Sequence, residues 1–199
     1  MNKFFCVLIT FLASPAVFAH GDHTNSFFGA AIHPFMGWDH LLAMLMVGIT
    51  AHHQMRKTAV TFGAGIQAAL IFPITFMSSM TLGLIIALNS SIFGAPFENV
   101  VLLSVFVMSS IVVKPDLLRS VPFLVGCISI FGLAHGLAHG SELDGNVTML
   151  TLGMLTGTGL LHGAGFLFGY RLAHKPWALK GAGVLGIAAS ALSVGGVLS

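Results

Sequence analysis

The chain has 199 residues, 56% of them hydrophobic and only 7% charged, with a net charge of +2 and a mean hydropathy of +0.95. An ordinary soluble domain carries roughly a quarter charged residues, so this chain cannot cover a water-facing surface. So small and scattered a positive charge also leaves no footprint for nucleic acid. The composition specifies an all-α, polytopic membrane helix bundle in a lipid bilayer, where every polar side chain is costly.

Residues 1–19 read as a signal peptide: Lys3 is a basic start, 4–12 is a short apolar core, and Pro15 precedes the small-x-small sequence Val17-Phe18-Ala19. Cleavage there makes His20 the first residue of a single transmembrane domain, 20–199, and leaves one cysteine, Cys127, which excludes an internal disulfide. About six spans are expected, near 33–51, 65–88, 93–113, 120–141, 147–170 and 181–198, each close to the roughly 20 residues a bilayer requires. The stretch 58–97 holds no charge and has room for two short helices around Pro73. Charge sign favours one. With the mature N-terminus outside and six spans, Arg56, Lys57, Lys114, Arg119, Arg171, Lys175 and Lys180 all fall in cytoplasmic loops, as the positive-inside rule demands. Asp22, Glu98, Glu142 and Asp144 then fall on the outer side, and both mature ends are periplasmic if the membrane is a bacterial inner membrane.

Glycines at i,i+4 spacing let membrane helices approach closely. The pairs Gly132/Gly136, Gly136/Gly140, Gly153/Gly157, Gly159/Gly163 and Gly165/Gly169 lie in the fourth and fifth spans, which should therefore touch.

The ten histidines stand against six acidic residues, and three clusters lie within the spans. The first is His33-Pro-Phe-Met-Gly-Trp-Asp39-His40, with Pro34 suited to the first position of a helix. On a straight helix His40 would sit about 10 Å deeper than His33, too far for one ion. Either Gly37 opens the helix, or His33 is an outer waystation to a deeper site containing Asp39 and His40. The second cluster holds His135 and His139 at i,i+4, one helix face within reach of a single cation, and Glu142 extends the stripe. The third is His162, deep in the fifth span and brought near the fourth by the glycine ladders.

Equal distances from the outer side should bring His40 and His135 to one level. Imidazole with carboxylate suits borderline divalent ions such as nickel, cobalt, zinc or copper(II). Met36, Met44, Met46 and Met55 form no ordered stripe toward the histidines and read as packing. His20 and His23 at the mature start and His52-His53 at the cytoplasmic end of the first span would extend a path.

At these residues the sequence resembles the HupE/UreJ family of membrane proteins, regarded as secondary nickel and, in some cases, cobalt permeases. The resemblance rests on His-Pro-x-x-Gly-x-Asp-His-Leu-Leu-Ala-Met at 33–44, His-Gly-x-x-His-Gly-x-Glu at 135–142 and Leu-His-x-Ala-Gly at 161–165. It departs where members often carry a further histidine, here Leu137. The resemblance implies permease activity, with His33, Asp39, His40, His135, His139 and Glu142 as motif residues.

The expected function is inward transport of Ni2+ or a similar divalent ion by a secondary transporter, with His33, Asp39, His40, His135, His139, Glu142 and His162 as ligands and the ion as cargo, with no resident cofactor and no enzymatic reaction. No G-x-x-x-x-G-K-S/T loop provides for ATP. Capture at the N-terminus and His33 would lead past His162 toward His52 and His53. Because neutral imidazole is the ligating form, uptake should fall in acid. Other readings are a non-transporting metal-binding accessory protein or sensor, and a bis-histidine haem protein using His40 and His53, whose spacing no second helix repeats. An intramembrane metalloprotease lacks its H-E-x-x-H. The sequence also admits a homo-oligomer.

Overall fold

The computed structural model describes residues 26–58, 62–90, 95–117, 120–140 and 145–194. Among them are seven α-helices, one 3-10 turn at Pro115–Leu117 and no strand: α1 Phe27–Met36, α2 Trp38–Thr58, α3 Phe62–Leu88, α4 Ala95–Val113, α5 Val121–Gly140, α6 Val147–Arg171 and α7 Pro176–Val194. The expected signal peptide lies outside the described residues.

Among the described residues, four helices are long and apolar enough to cross a membrane: α3 from Gly63, α5, α6 and α7. The pair α1 and α2 passes the same test as one bent element, which raises the total to five, and α4 carries a shorter apolar stretch, Phe97–Val113. The chain is a helical membrane protein. Large apolar side chains such as Phe123, Ile130, Leu160 and Leu185 point outward. A soluble domain would not tolerate so many, but a hydrocarbon solvent does. Within the charge-free 58–97 stretch, α3 runs through Pro73 without ending, one helix from Phe62 to Leu88 rather than two short ones.

Every span satisfies its own backbone, so what distinguishes the contacts is how closely two helices approach. Helix α2 is central, packed against α3, α4 and α6, while α3 pairs with α5, α1 with α6 and α4 with α7. The α3/α5 contact is backbone on backbone. A Cβ on Gly136 would run into Met80 O and stand 2.6 Å from Leu84 N, and one on Gly83 would meet Leu133 O and stand 3.0 Å from Leu137 N.

The glycine ladders are therefore used, but the fourth and fifth spans do not pack on one another. Gly132, Gly136 and Gly140 of α5 face α3, whereas in α6 Gly153 and Gly157 face α1 and Gly165 faces α2. Spacing of small residues states that a neighbour can come close and carries no information on which neighbour comes. Not all the basic residues expected in loops lie there: Arg56, Lys57 and Arg171 stand in the last turns of α2 and α6, and Lys180 lies within α7.

Pro34 is not a first helical residue. Helix α1 begins eight residues earlier at its cap, Ser26, whose hydroxyl accepts from Gly29 N at 3.0 Å. Pro34 sits in its last turn, and the helix stops two residues later at Met36. Gly37 then takes an extended conformation, φ −90° and ψ 121°, and the axis turns by 86° into α2. Of the methionines read as packing, Met44 and Met46 are buried, but Met36 lies on the exposed apolar face of α1 with Phe28 and Ile32.

Candidate metal site

The break at Gly37 settles how His33 relates to His40. Bending the chain by 86° brings His33 of α1 back over the start of α2, and His33 Nε2 lies 2.8 Å from His139 Nδ1 of α5. Of the two arrangements the sequence allowed, the opened helix is the observed one. One of these nitrogens donates and the other accepts, so an ion engaging both rings there would displace the shared proton.

The remaining side chains close around this pair. The His40 ring stands 4.2 Å from that of His139 and 5.2 Å from that of His135, centroid to centroid. His40 and His135 thus do meet at one level, as their depths require. All five of His33, Asp39, His40, His135 and His139 are buried.

Two rings are oriented by their Nδ1 atoms. His40 Nδ1 donates to Asp39 Oδ1 at 2.7 Å, and the same oxygen accepts from the His40 backbone N–H at 2.9 Å. His135 Nδ1 donates to Phe131 O at 2.8 Å, one turn back in α5. A second partner on Nδ1 fixes tautomer and ring direction, as in metal sites, and in His135 it leaves Nε2 as the nitrogen to meet an ion. His135 Nε2 is buried without a hydrogen-bond partner.

Glu98 belongs here too, although its sequence position suggested only the outer side. It stands in the first turn of α4, and ligand atoms of Asp39, His40 and Glu98 all lie within 4.8 Å of one another. The signal was available: a carboxylate inside the expected 93–113 span is expensive unless it has a task. Glu142 lies outside the described residues.

His162 is apart from this group. The glycine ladders do not bring it to α5. Phe76 of α3 touches both rings, its centroid 4.9 Å from that of His135 and 5.2 Å from that of His162. His52 and His53 are elsewhere again, lining a small cavity with Arg56, Pro115 and Ala173 that also holds Thr50 and Leu179. His20 and His23 lie outside the described residues.

A family model described as HupE / UreJ protein matches residues 7–195. The chain belongs to the HupE/UreJ family. Protein HupE of Rhizobium leguminosarum bv. viciae is 29% identical over 189 residues, covering 93% of this chain and 91% of that one. No solved structure matches. The family is associated with nickel and cobalt uptake and is of transporter type.

Proposed function

We propose that this protein is a secondary permease that carries Ni2+, or a similar divalent ion such as Co2+, into the cytoplasm through a site built from His33, Asp39, His40, Glu98, His135 and His139, with Glu142 as a further ligand. The observation that carries the reading is the convergence of two carboxylates and four imidazoles from α1, α2, α4 and α5 inside an apolar bundle. A structural role would need each buried polar group matched by a hydrogen bond within the protein. Here the Nδ1 atoms of His40 and His135 are matched, and His135 Nε2 is not.

The membrane potential is a sufficient drive. A divalent ion moving inward gains 2 × 2.3, about 4.6 kcal/mol per 100 mV, on the order of a thousandfold accumulation. The site has only to replace the ion's hydration shell and let it go. Two carboxylates supply the charge that draws the ion from water, and imidazoles select a borderline metal over Mg2+ or Ca2+. In this reading the leader is removed after Ala19, six spans cross the bacterial inner membrane, and both mature ends are periplasmic.

The test is uptake of radioactive Ni2+ into liposomes holding only this protein, with and without an inside-negative potential and with Co2+ in competition. Saturable uptake that rises with the potential is expected. Binding without flux would leave a sensor or accessory protein. Intact mass of the membrane-extracted chain reads the leader, and a retained Met1 would overturn the outside N-terminus.

A further inference from the structure

Two glycines of α6 do not behave like the rest of its ladder. A Cβ on Gly157 or Gly165 would strike the backbone of a neighbouring helix, but one on Gly163 would meet nothing within 4 Å, and one on Gly159 only Met77 Cε at 3.6 Å. Both border a cleft of about 450 Å³ between α2, α3 and α6, whose walls include Met55, Leu70, Met77 and Leu167. Ile66, Leu70, Gly163 and Leu167 are exposed along it, so the cleft opens on the outer face of the bundle. Its surface is almost wholly apolar, and the ring nitrogens of His162 are buried behind it.

The cleft is one leaflet deep. On α3 it runs from Ile66 to Met77, a rise of about 16 Å, and half of a hydrocarbon core measures about 15 Å. It follows the first half of α3 and the last half of α6, so it begins near one end of both spans and stops near their middle. At that end lies positive charge. Arg171 stands one turn beyond Leu167, on the i,i+4 stripe that carries Gly159, Gly163 and Leu167, and Arg56 and Lys57 follow Met55 at the end of α2. Arg171 and Lys57 are exposed, and among the described residues neither meets a carboxylate within ion-pair distance. Tyr170 and Trp177, also exposed, mark the same level as the headgroup region, where amphipathic rings gather.

We propose that one acyl chain of an anionic phospholipid fills this cleft, with the lipid's phosphate held at Arg171. A guanidinium matches two phosphate oxygens at once, and the basic residues gathered at this end favour a lipid of net negative charge over a zwitterionic one. Width excludes a helix from a second copy of the chain. About 450 Å³ spread over about 16 Å averages about 6 Å across, whereas a helix with its side chains needs about 10 Å. A flexible hydrocarbon chain conforms to such a slot, and without it every residue of the lining would forfeit dispersion contacts on that side. Gly159 and Gly163 thus leave room for lipid where the other glycines of α6 leave room for a helix. This site stands apart from the metal site and does not depend on the permease reading.

Native mass spectrometry of the full-length, delipidated protein in mild detergent tests this, with phosphatidylglycerol and phosphatidylcholine of equal chain length titrated in parallel. We expect one tightly held phosphatidylglycerol, preferred over phosphatidylcholine by about fivefold, the effect of one basic residue at a charged lipid surface. Gly163→Phe, which fills the cleft, should lose that lipid, while Gly126→Phe, on an exposed face of α5 with nothing near it, should keep it. Arg171→Gln, a surface change, should still hold one lipid but take the two kinds equally. Retention by Gly163→Phe equal to that of the wild type would overturn the cleft as the site, and equal binding of the two lipids by the wild type would overturn the anionic headgroup. A disulfide-linked dimer formed in bilayers by Gly163→Cys, in protein carrying Cys6→Ala and Cys127→Ala, would put a second copy in the cleft and overturn the lipid. No metal ion enters these measurements, so their failure would leave the permease reading intact.

Discussion

Gly136→Ala tests whether the metal site depends on how closely two helices meet. The glycine lies between His135 and His139 on α5, and its α-carbon faces the backbone of α3. The added methyl would run into Met80 O and would stand 2.6 Å from Leu84 N and 2.9 Å from the carbonyl carbon of Gly83. Ordinary contact needs about 3.5 Å, so α3 and α5 must part by at least about 0.9 Å to clear Leu84 N and by more to clear Met80 O. All three obstacles are main-chain atoms of a helix, which cannot step aside as a side-chain tip would. His135 and His139 move with α5, while Asp39 and His40 stay with α2. A misplacement of about 1 Å in a preorganised site costs on the order of a hundredfold. We expect Ni2+ uptake to fall by about that factor, with weaker Ni2+ binding by calorimetry in detergent and a helical circular dichroism spectrum unchanged. Gly126→Ala, whose methyl meets nothing within 4 Å, is the matched control. Wild-type uptake and affinity in Gly136→Ala would refute the claim that the α3/α5 approach sets the ligand geometry.

Three further outcomes are expected. His40→Ala and His135→Ala should each abolish uptake, and the double variant should do no worse than either, because one lost ligand already disables a shared site; wild-type uptake in either single variant would return these rings to interhelical packing. Initial uptake rates at fixed Ni2+ and fixed potential should fall as pH is lowered, since a protonated imidazole cannot ligate and protons then compete with the ion, and a rate that is flat or rises in acid would speak against imidazole ligands. Cysteines placed at Ser199 should be labelled from outside intact cells and cysteines in 171–180 should be protected, because all seven mature basic residues then lie on the cytoplasmic side; the inverse pattern would show an inverted topology.

What the amino-acid sequence determines here is what the chain expresses locally. Hydropathy specifies helices in a membrane, because charged residues and a continuous apolar run cannot share a bilayer interior. The i,i+4 spacing places His135 and His139 on one face, and counting residues from the helix ends places His40 opposite His135, since helical rise is constant. The run through Pro73 as one helix also follows from the charge pattern. Tertiary structure decides the rest. Which helix each glycine ladder meets depends on the arrangement of the whole bundle, so α5 faces α3 and α6 faces α1 and α2. The arrival of His33 at His139 depends on α1 docking against Gly153 and Gly157, and that docking holds an 86° turn at Gly37 that composition shows only as a glycine. Glu98 joins Asp39 because α4 packs on α2. Phe76 meets both His135 and His162 for the same kind of reason: an apolar ring on α3 has no sequence mark that tells which rings it will touch until the helices on either side of it are in place.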